Sequence, residues 1–509
     1  MAEVLLTHSY HLRFDRKQSR KMQPYPPLGT LYAAAVLREN GVPVAVFDTM
    51  VKDPTVEFRE TLRFHQPGIV AIYEDDFNFL TKMCLTRMRE VAWQMLAEAK
   101  EFGCRVIVHG SDATDHSDEY LRAGFDFVLI GEAEQILLEV IQALGRGRDP
   151  SGIPGVISAR AVRTSPEPSK RAHLAGSRLH SFPMPARDLI DLRPYREAWL
   201  AAHGTFSLNL VASRGCPFRC NWCAKPIFGD TYRVQPPELV AAEMRVLKTR
   251  YGAEHLWFAD DIFALNRNWM HRFAAEVESR DCALPFKVQA RADLLTSETV
   301  RNLKRAGCAE VWMGVESGSQ KILDAMDKGL RVEDVRSARE NLRQHGIRAC
   351  FFLQFGYPGE TWQDIRRTVA LVRETRPDDI GVSFSYPLPN TNFYELVREQ
   401  LGRKRNWADS EDLCVMFRGA YVDEFYRAIR DALHAEVDSW HASGHFIASR
   451  ENAAREMWRR VEALEPVSRN PDATQLPSAP RESLPSKPVL RINHGFVPVR
   501  RLHASTGEG

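Results

Sequence analysis

The chain has no apolar run of the ~18 residues that a bilayer-spanning helix needs, and its opening stretch, MAEVLLTHSYHLRFDRKQ, carries too short an apolar segment for a secretory signal. Both readings point to a cytoplasmic protein with no membrane span. The chain also lacks charge of one sign: 68 Lys plus Arg stand against 66 Asp plus Glu, a formal balance of +2, so no global field draws it to nucleic acid. No internal repeat, helix-turn-helix pattern or basic RNA-binding module is evident. Cysteine is sparse, nine in 509 residues, and its scatter is unlike the disulfide framework of a small secreted domain. Cys84, Cys104, Cys282, Cys308, Cys350 and Cys414 stand alone and are read as small buried apolar residues. With 44% hydrophobic and 26% charged residues, wholesale disorder is excluded, and the length allows about two to four packed domains.

What is present is alternation. Short apolar runs at 4–6, 42–47, 69–73, 106–109 and 127–130 predict strands, with helices around 31–39 and 81–102. Residues 1–149 therefore read as a Rossmann-like domain with ligand loops after its strands. Residues 150–205, with PSGIPG, SPEPS and FPMPARDL, read as a Pro-rich linker with a small hairpin at 155–165. From 206 to 400 the runs at 208–213, 255–259, 286–290, 310–315, 348–355 and 380–385 alternate with amphipathic helical stretches. Six such units predict a partial (β/α)6 barrel whose chemistry sits at the carboxyl ends of the strands. Residues 401–465 read as a small helical domain, and 466–509 are too poor in apolar residues to pack. The fold class is α/β.

Cys216, Cys220 and Cys223 break the scatter. Their C-x3-C-x2-C spacing gathers three thiolates in one short loop after the predicted strand 208–213, at the end where barrels carry catalytic groups. Three thiolates can hold three irons of a [4Fe–4S] cubane and leave the fourth open to the amine and carboxylate of a bound molecule. Zinc normally takes four ligands, and no fourth Cys or His lies within the loop. An electron passed through the open iron into a sulfonium C–S bond releases a carbon radical, chemistry that belongs to the cofactor while the protein holds it in register and dry.

The full string SRGCPFRCNWCAKP, with Trp222 just before the third cysteine, resembles the radical S-adenosylmethionine (SAM) superfamily. Downstream, FADDIFALN, RADLLTSETVRNLKRAGCAEVWMGVESGS, FGYPGET and SYPLPNTNFYE resemble, in order and spacing, its branch of cobalamin-dependent methylases and anaerobic magnesium-protoporphyrin ester cyclases. The likeness covers roughly residues 206–395. It implies a 5′-deoxyadenosyl radical, with Asp260 and Asp261 at the barrel mouth near the SAM amino group or the substrate, and Trp222, Arg291, Glu316 and Ser317 around SAM. The residues alone leave alternatives open: Asp261 as a helix cap and Arg291 as the partner of Asp293.

PYPPLGTLYAAAVLRENGVPVAVFDT resembles the opening of the cobalamin-binding domains fused to this branch, and DFVLIGEAEQILLEV their close. Where such domains carry Gly-Gly-Pro-His along the corrin, this chain reads His109-Gly110-Ser111-Asp112. The resemblance implies cobalamin against Tyr73, His109, Gly110, Ser111, Ala113, Thr114, Gly131 and Glu132. The Asp-x-His-x-x-Gly pattern that supplies an imidazole to cobalt is absent, and His109 is either a substitute or a strand-end histidine satisfied by the backbone. The implied activity is SAM- and cobalamin-dependent methylation of an unactivated carbon in a small-molecule or natural-product intermediate. It calls for a reducing electron donor such as flavodoxin or ferredoxin, and for no nucleic-acid partner. The alternatives are radical oxidative cyclisation or rearrangement, and a non-catalytic cluster or corrin sensor.

Overall fold

A computed structural model describes residues 3–83, 85–159, 182–225, 227–402, 406–412, 414–441, 446–473 and 475. Val4–Thr7 (β1), Val44–Phe47 (β2), Ile69–Tyr73 (β3), Arg105–His109 (β4), Phe127–Leu129 (β5) and Val156–Ser158 (β6) are short, aliphatic-rich runs. They form one sheet in the order β2-β1-β3-β4-β5-β6, parallel except for β6, which pairs antiparallel with β5. Separate apolar clusters cover its two faces, one with Leu37 and Val140, the other with Phe58 and Leu96. Burial on both faces is why these strands read as unbroken apolar runs. The first five strands follow a doubly wound order with its switch point between β1 and β3. There Glu74, one residue beyond β3, accepts the Ser9 backbone N–H at 3.1 and 3.2 Å.

A second sheet is wholly parallel: Ser207–Leu210 (β7), then, after the short hairpin Ser213–Arg214 (β8) and Arg233–Val234 (β9), His255–Phe258 (β10), Phe286–Ala290 (β11), Cys308–Glu316 (β12), Arg348–Phe355 (β13) and Asp379–Phe384 (β14). Its order β14-β13-β12-β11-β10-β7 is the order of the chain. Alternation sorts the two faces. Leu256, Phe286, Val288, Val311, Met313, Phe351 and Leu353 are buried in one core with helix residues such as Met244, Phe273, Leu303 and Val369. Trp257, Gln289, Trp312, Phe352 and Ser383 lie on the other face and are only half-buried. Tyr25 from the N-terminal segment and Trp199 from the helix Arg193–His203 join that same core, and Trp199 Nε1 donates to Pro24 O at 2.7 Å.

The six expected strands of the second sheet are all present, two of them to the residue. In the first half the expected helix over 81–102 is two, Phe79–Lys82 and Thr86–Glu101, because the Thr86 N–H is drawn to Trp407 O at 2.9 Å. A helix at Pro54–His65 and two short ones at Ser111–Asp115 and Ser117–Ala123 are additional. Of the hairpin expected at 155–165, β6 is seen, paired with β5 rather than within itself, and the remainder beyond 159 lies outside the described residues. Residues 423–464 carry two helices, Asp423–Trp440 and Phe446–Leu464. Most of the tail expected to lack structure lies outside the described residues, but Ser468 O and the Asn470 N–H bond back to Val422 and Ala420. Of the isolated cysteines, Cys104, Cys282, Cys308 and Cys350 are buried, Cys414 is half-buried, and Cys84 lies outside the described residues. No described helix is long and apolar enough to cross a membrane.

Candidate functional site

The cysteine loop leaves the carboxyl end of β7 through a tight turn. Gly215 has φ +81°, and a Cβ there would lie 2.0 Å from Thr231 O, so the position admits only glycine. Lys225 folds back over the loop, donating to Cys216 O at 2.9 Å and to Phe218 O, and pairs with Asp230. Asn221 anchors the other side: its amide donates to Ala325 O at 2.6 Å and accepts from Tyr357 OH at 2.9 Å. Burial pushes the Cys223 thiol up to about 12, and the neighbouring Cys220 and Cys216 act in the same direction, opposed by Lys225. Burial raises Cys216 as well. Among the described residues no three His, Cys, Asp or Glu side chains already converge as a closed metal site. Three thiols whose anionic forms would repel one another, with one lysine beside them, nevertheless suit a cationic cluster, since metal coordination deprotonates thiols outright.

The residues expected around SAM gather beside this loop. The Arg291 guanidinium lies 3.8 Å from the Phe218 ring centroid, pairs with Asp293 at 3.0 Å and donates to Lys328 O and Gly329 O at 2.7 and 3.1 Å. It therefore ties the cysteine loop to the turn at 327–330, and the pairing with Asp293 read from the sequence is present. Glu316, at the end of β12 with φ 62°, is buried and pairs with Lys328 at 2.8 Å. Lys328 is fully buried, 6.0 Å from the Trp222 ring; Glu316 and Cys220 hold its pKa up against desolvation. Trp222 Nε1 is buried without a hydrogen-bond partner, an N–H available to a ligand. Ser317 instead serves the backbone, accepting Ser319 N–H at 3.1 Å and meeting Thr368 Oγ1 at 3.2 Å.

The two aspartates diverge. Asp261 faces the loop, where its charge raises both Cys216 and Cys223. Asp260 turns back, accepting Ala212 N–H at 3.0 Å and Ser213 Oγ–H at 2.5 Å. Burial raises its carboxyl to about 7 despite those hydrogen bonds. Its folded pKa lies above the unfolded value, so the stability it contributes is full below about pH 4 and is lost as pH rises through about 7. Asp260→Asn should remove that part of the slope, read as a urea midpoint that falls less than the wild type's between those pH values.

Facing the cysteine loop is the carboxyl edge of the first sheet. Tyr73 and His109 stack with centroids 4.2 Å apart, and His109 Nε2 bonds Gly131 O at 2.8 Å. Burial lowers the His109 pKa to about 4, so the ring is neutral, satisfied by the backbone and 3.6 Å from Asp76. The loops after β3, β4 and β5 thus converge as expected. Gly110 (φ +146°) does not present an open surface: a Cβ there would meet Glu74 Cγ at 2.7 Å, so enlarging it would displace Glu74 first. Asp112, at the position of the usual histidine, is held by Arg89 at 2.6 and 2.7 Å and by Tyr120 OH at 2.8 Å. Ala113 belongs to the apolar cluster that contains Val108 and Tyr120. Ser111 Oγ, Tyr73 OH, Tyr32 OH and His109 Nδ1 are buried with no hydrogen-bond partner, and Thr114 is buried beside them in sequence.

Arg214 joins the two edges. It is buried, pairs with Glu132 and with Glu134 (2.7 Å), and lies against the rings of Tyr32, Phe77, Phe182 and Phe228. Arg233 also pairs with Glu132. Glu132 is thereby committed to two arginines, while Asn390, after β14, reaches Asp115 at 3.1 Å.

The comparisons agree with this architecture. An uncharacterized methyltransferase of Pyrococcus horikoshii is 25% identical over 79% of this chain and 88% of its own length. The hopanoid C-3 methylase of Methylococcus capsulatus is 23% identical over 94% and 96%. The structure of the radical SAM methyltransferase TsrM from Kitasatospora setae, with cobalamin and a [4Fe–4S] cluster bound, superposes with a TM-score of 0.63 at 20% identity, covering 79% of this chain and 76% of that one. That last likeness is one of fold. Residues 210–372, from the end of β7 through the cysteine loop to the helix after β13, match the family model of the radical SAM superfamily.

Proposed function

We propose that the chain is a cobalamin-dependent radical SAM methylase acting on an unactivated carbon of a small molecule. The observation that carries this reading is the opposition of the two sheet edges: the three-cysteine loop faces an edge whose buried Tyr73, Tyr32 and Ser111 have polar atoms in want of a partner. Buried polar atoms are almost always paired, and a large polar macrocycle laid on that edge would meet them. TsrM with cobalamin bound has the same overall fold, which supports the assignment.

On this reading residues 1–149 form the cobalamin domain, 150–205 a linker, 206–400 the partial barrel, 401–465 a helical cover and 466–509 a tail. Cys216, Cys220 and Cys223 would hold a [4Fe–4S] cluster, with Trp222, Arg291, Glu316 and Lys328 around SAM and Asp261 toward its amino group or the substrate. Together the bound groups supply one-electron reduction, a deoxyadenosyl radical and a transferable methyl. The protein's own part is to position and exclude water: Arg291 clamps the loop through Phe218, Lys328 neutralises Glu316, and Arg214 fixes the edges relative to one another. His109, neutral and bonded to Gly131 O, would not be free to serve a bound corrin as a ligand. A flavodoxin- or ferredoxin-type donor in the cytoplasm would supply the electrons.

The test is incubation of reconstituted protein and reductant with small-molecule extracts and SAM carrying a trideuterated methyl group. A product that gains the label is expected. Products that only lose hydrogen would favour ring closure, and absence of deoxyadenosine from cluster-loaded protein would remove the radical reading.

A further inference from the structure

Charge is balanced over the whole chain, yet residues 13–21 gather Arg13, Arg16, Lys17, Arg20 and Lys21 against Asp15 alone. Asp15 is spent on structure: buried, it caps the short helix Arg16–Lys21 by accepting the Gln18 N–H at 3.1 Å, and it accepts the Ser410 Oγ–H at 2.6 Å. Arg87 ties the same two segments together, donating to Phe14 O and pairing with Asp409 at 3.2 Å. Between the helix and the turn at 409–411 opens a cavity of about 410 Å³ lined by Arg13, Arg16, Ser19, Arg20 and Glu411. Glu411 pairs with Arg20, whereas Arg13 and Arg16 have no acidic partner among the described residues. Lys17 stands on the same helix; burial pushes it down to about 8, and the charges of Lys21 and Arg430 act in the same direction. Cations are thus crowded around a rigidly framed cavity with too few anions to neutralise them. Guanidinium forks match the oxygens of a phosphate bidentately, and a space of this size suits a small ligand. The helix ends at Lys21, which feels the charges of Asp379 and Lys287 at the amino ends of β14 and β11, whereas the cysteine loop leaves a carboxyl end.

We propose that this cavity is a second ligand site, which binds the phosphate monoester of a small molecule between the Arg13 and Arg16 guanidiniums. A phosphate monoester carries nearly two negative charges at neutral pH, the number that two unpaired guanidiniums neutralise; a carboxylate carries one. A soluble phosphate ester and a phosphatidic-acid headgroup present the same group, and the test below separates them. The inference goes beyond the proposed function and does not depend on it, since none of these residues belongs to the cysteine loop or to the edge of the first sheet that faces it.

Calorimetric titration of the full chain with inorganic phosphate, ribose 5-phosphate and acetate is set beside co-sedimentation with phosphatidylcholine vesicles that contain or lack phosphatidic acid. The phosphate-bearing probes should bind and acetate should bind at least about tenfold more weakly. Arg13→Gln and Arg16→Gln should each weaken phosphate binding about tenfold, the worth of one charge-assisted hydrogen bond. Glu411→Gln, which takes a carboxylate from the rim and frees Arg20, should tighten it about threefold. The tighter of ribose 5-phosphate and the phosphatidic-acid vesicles identifies the source. No binding of any phosphate-bearing probe, acetate bound as tightly as phosphate, or phosphate affinity unchanged in the Arg13→Gln, Arg16→Gln double variant overturns the proposal. So does capture of polyglutamate without any response to phosphate, which would make this patch a face for an acidic protein. These measurements need no cluster, SAM or corrin, so their failure and the failure of the proposed function are read separately.

Discussion

Cys220→Ala, and equally Cys216→Ala or Cys223→Ala, is expected to reduce the iron–sulfur absorbance of anaerobically reconstituted protein and its formation of 5′-deoxyadenosine to background. Three thiols serve three irons, and the loop offers no spare ligand. The loop is held by groups other than the thiols, namely Lys225 on two carbonyls and Asn221 between Ala325 and Tyr357, so the variants should remain folded and the loss be specific. Iron and sulfide analysis beside circular dichroism checks both halves. A variant that kept its full cluster spectrum would show that its cysteine is not a ligand.

The second large effect is on stability. Arg214→Met should destabilise the protein by about 3–5 kcal/mol, because removing one member of a buried ion network strands its partners. Glu134 would lose the arginine that neutralises it and Glu132 one of its two, deep among four aromatic rings. Urea unfolding measures the change, and adding Glu134→Gln to the variant should restore part of it. Corrin affinity should fall too, since Arg214 sets the two carboxyl edges face to face. An Arg214→Met protein as stable as the wild type would mean that water reaches this network.

Much of this was legible beforehand, and what was not has physical reasons. The strands 286–290 and 348–355 stand out because alternation or continuous apolar character is bounded by turns, and the cysteine spacing is local. The helix Pro54–His65 was hidden because little of it faces a core: Phe58 and Leu62 are buried while Val56 and Phe64 are exposed. The role of Arg214 depends on partners far along the chain, Glu132 and Glu134, and that of Lys328 on the cysteine loop about a hundred residues before it as well as on nearby Glu316. Gln354 sits within the mostly apolar run 348–355. The divergence of Asp260 and Asp261 follows from successive residues pointing opposite ways at a strand end, with the first captured by Ser213.

The most direct test of the central claim, that the cysteine loop and the first sheet enclose a corrin between them, is a titration of cluster-loaded wild type with methylcobalamin. Corrin absorbance is followed through gel filtration, and the cobalt environment is read by electron paramagnetic resonance after reduction. One corrin retained per chain, with no nitrogen hyperfine coupling from a protein imidazole, is the result expected. Cluster-loaded protein that retains no corrin, or a cobalt bearing a histidine nitrogen, would contradict it.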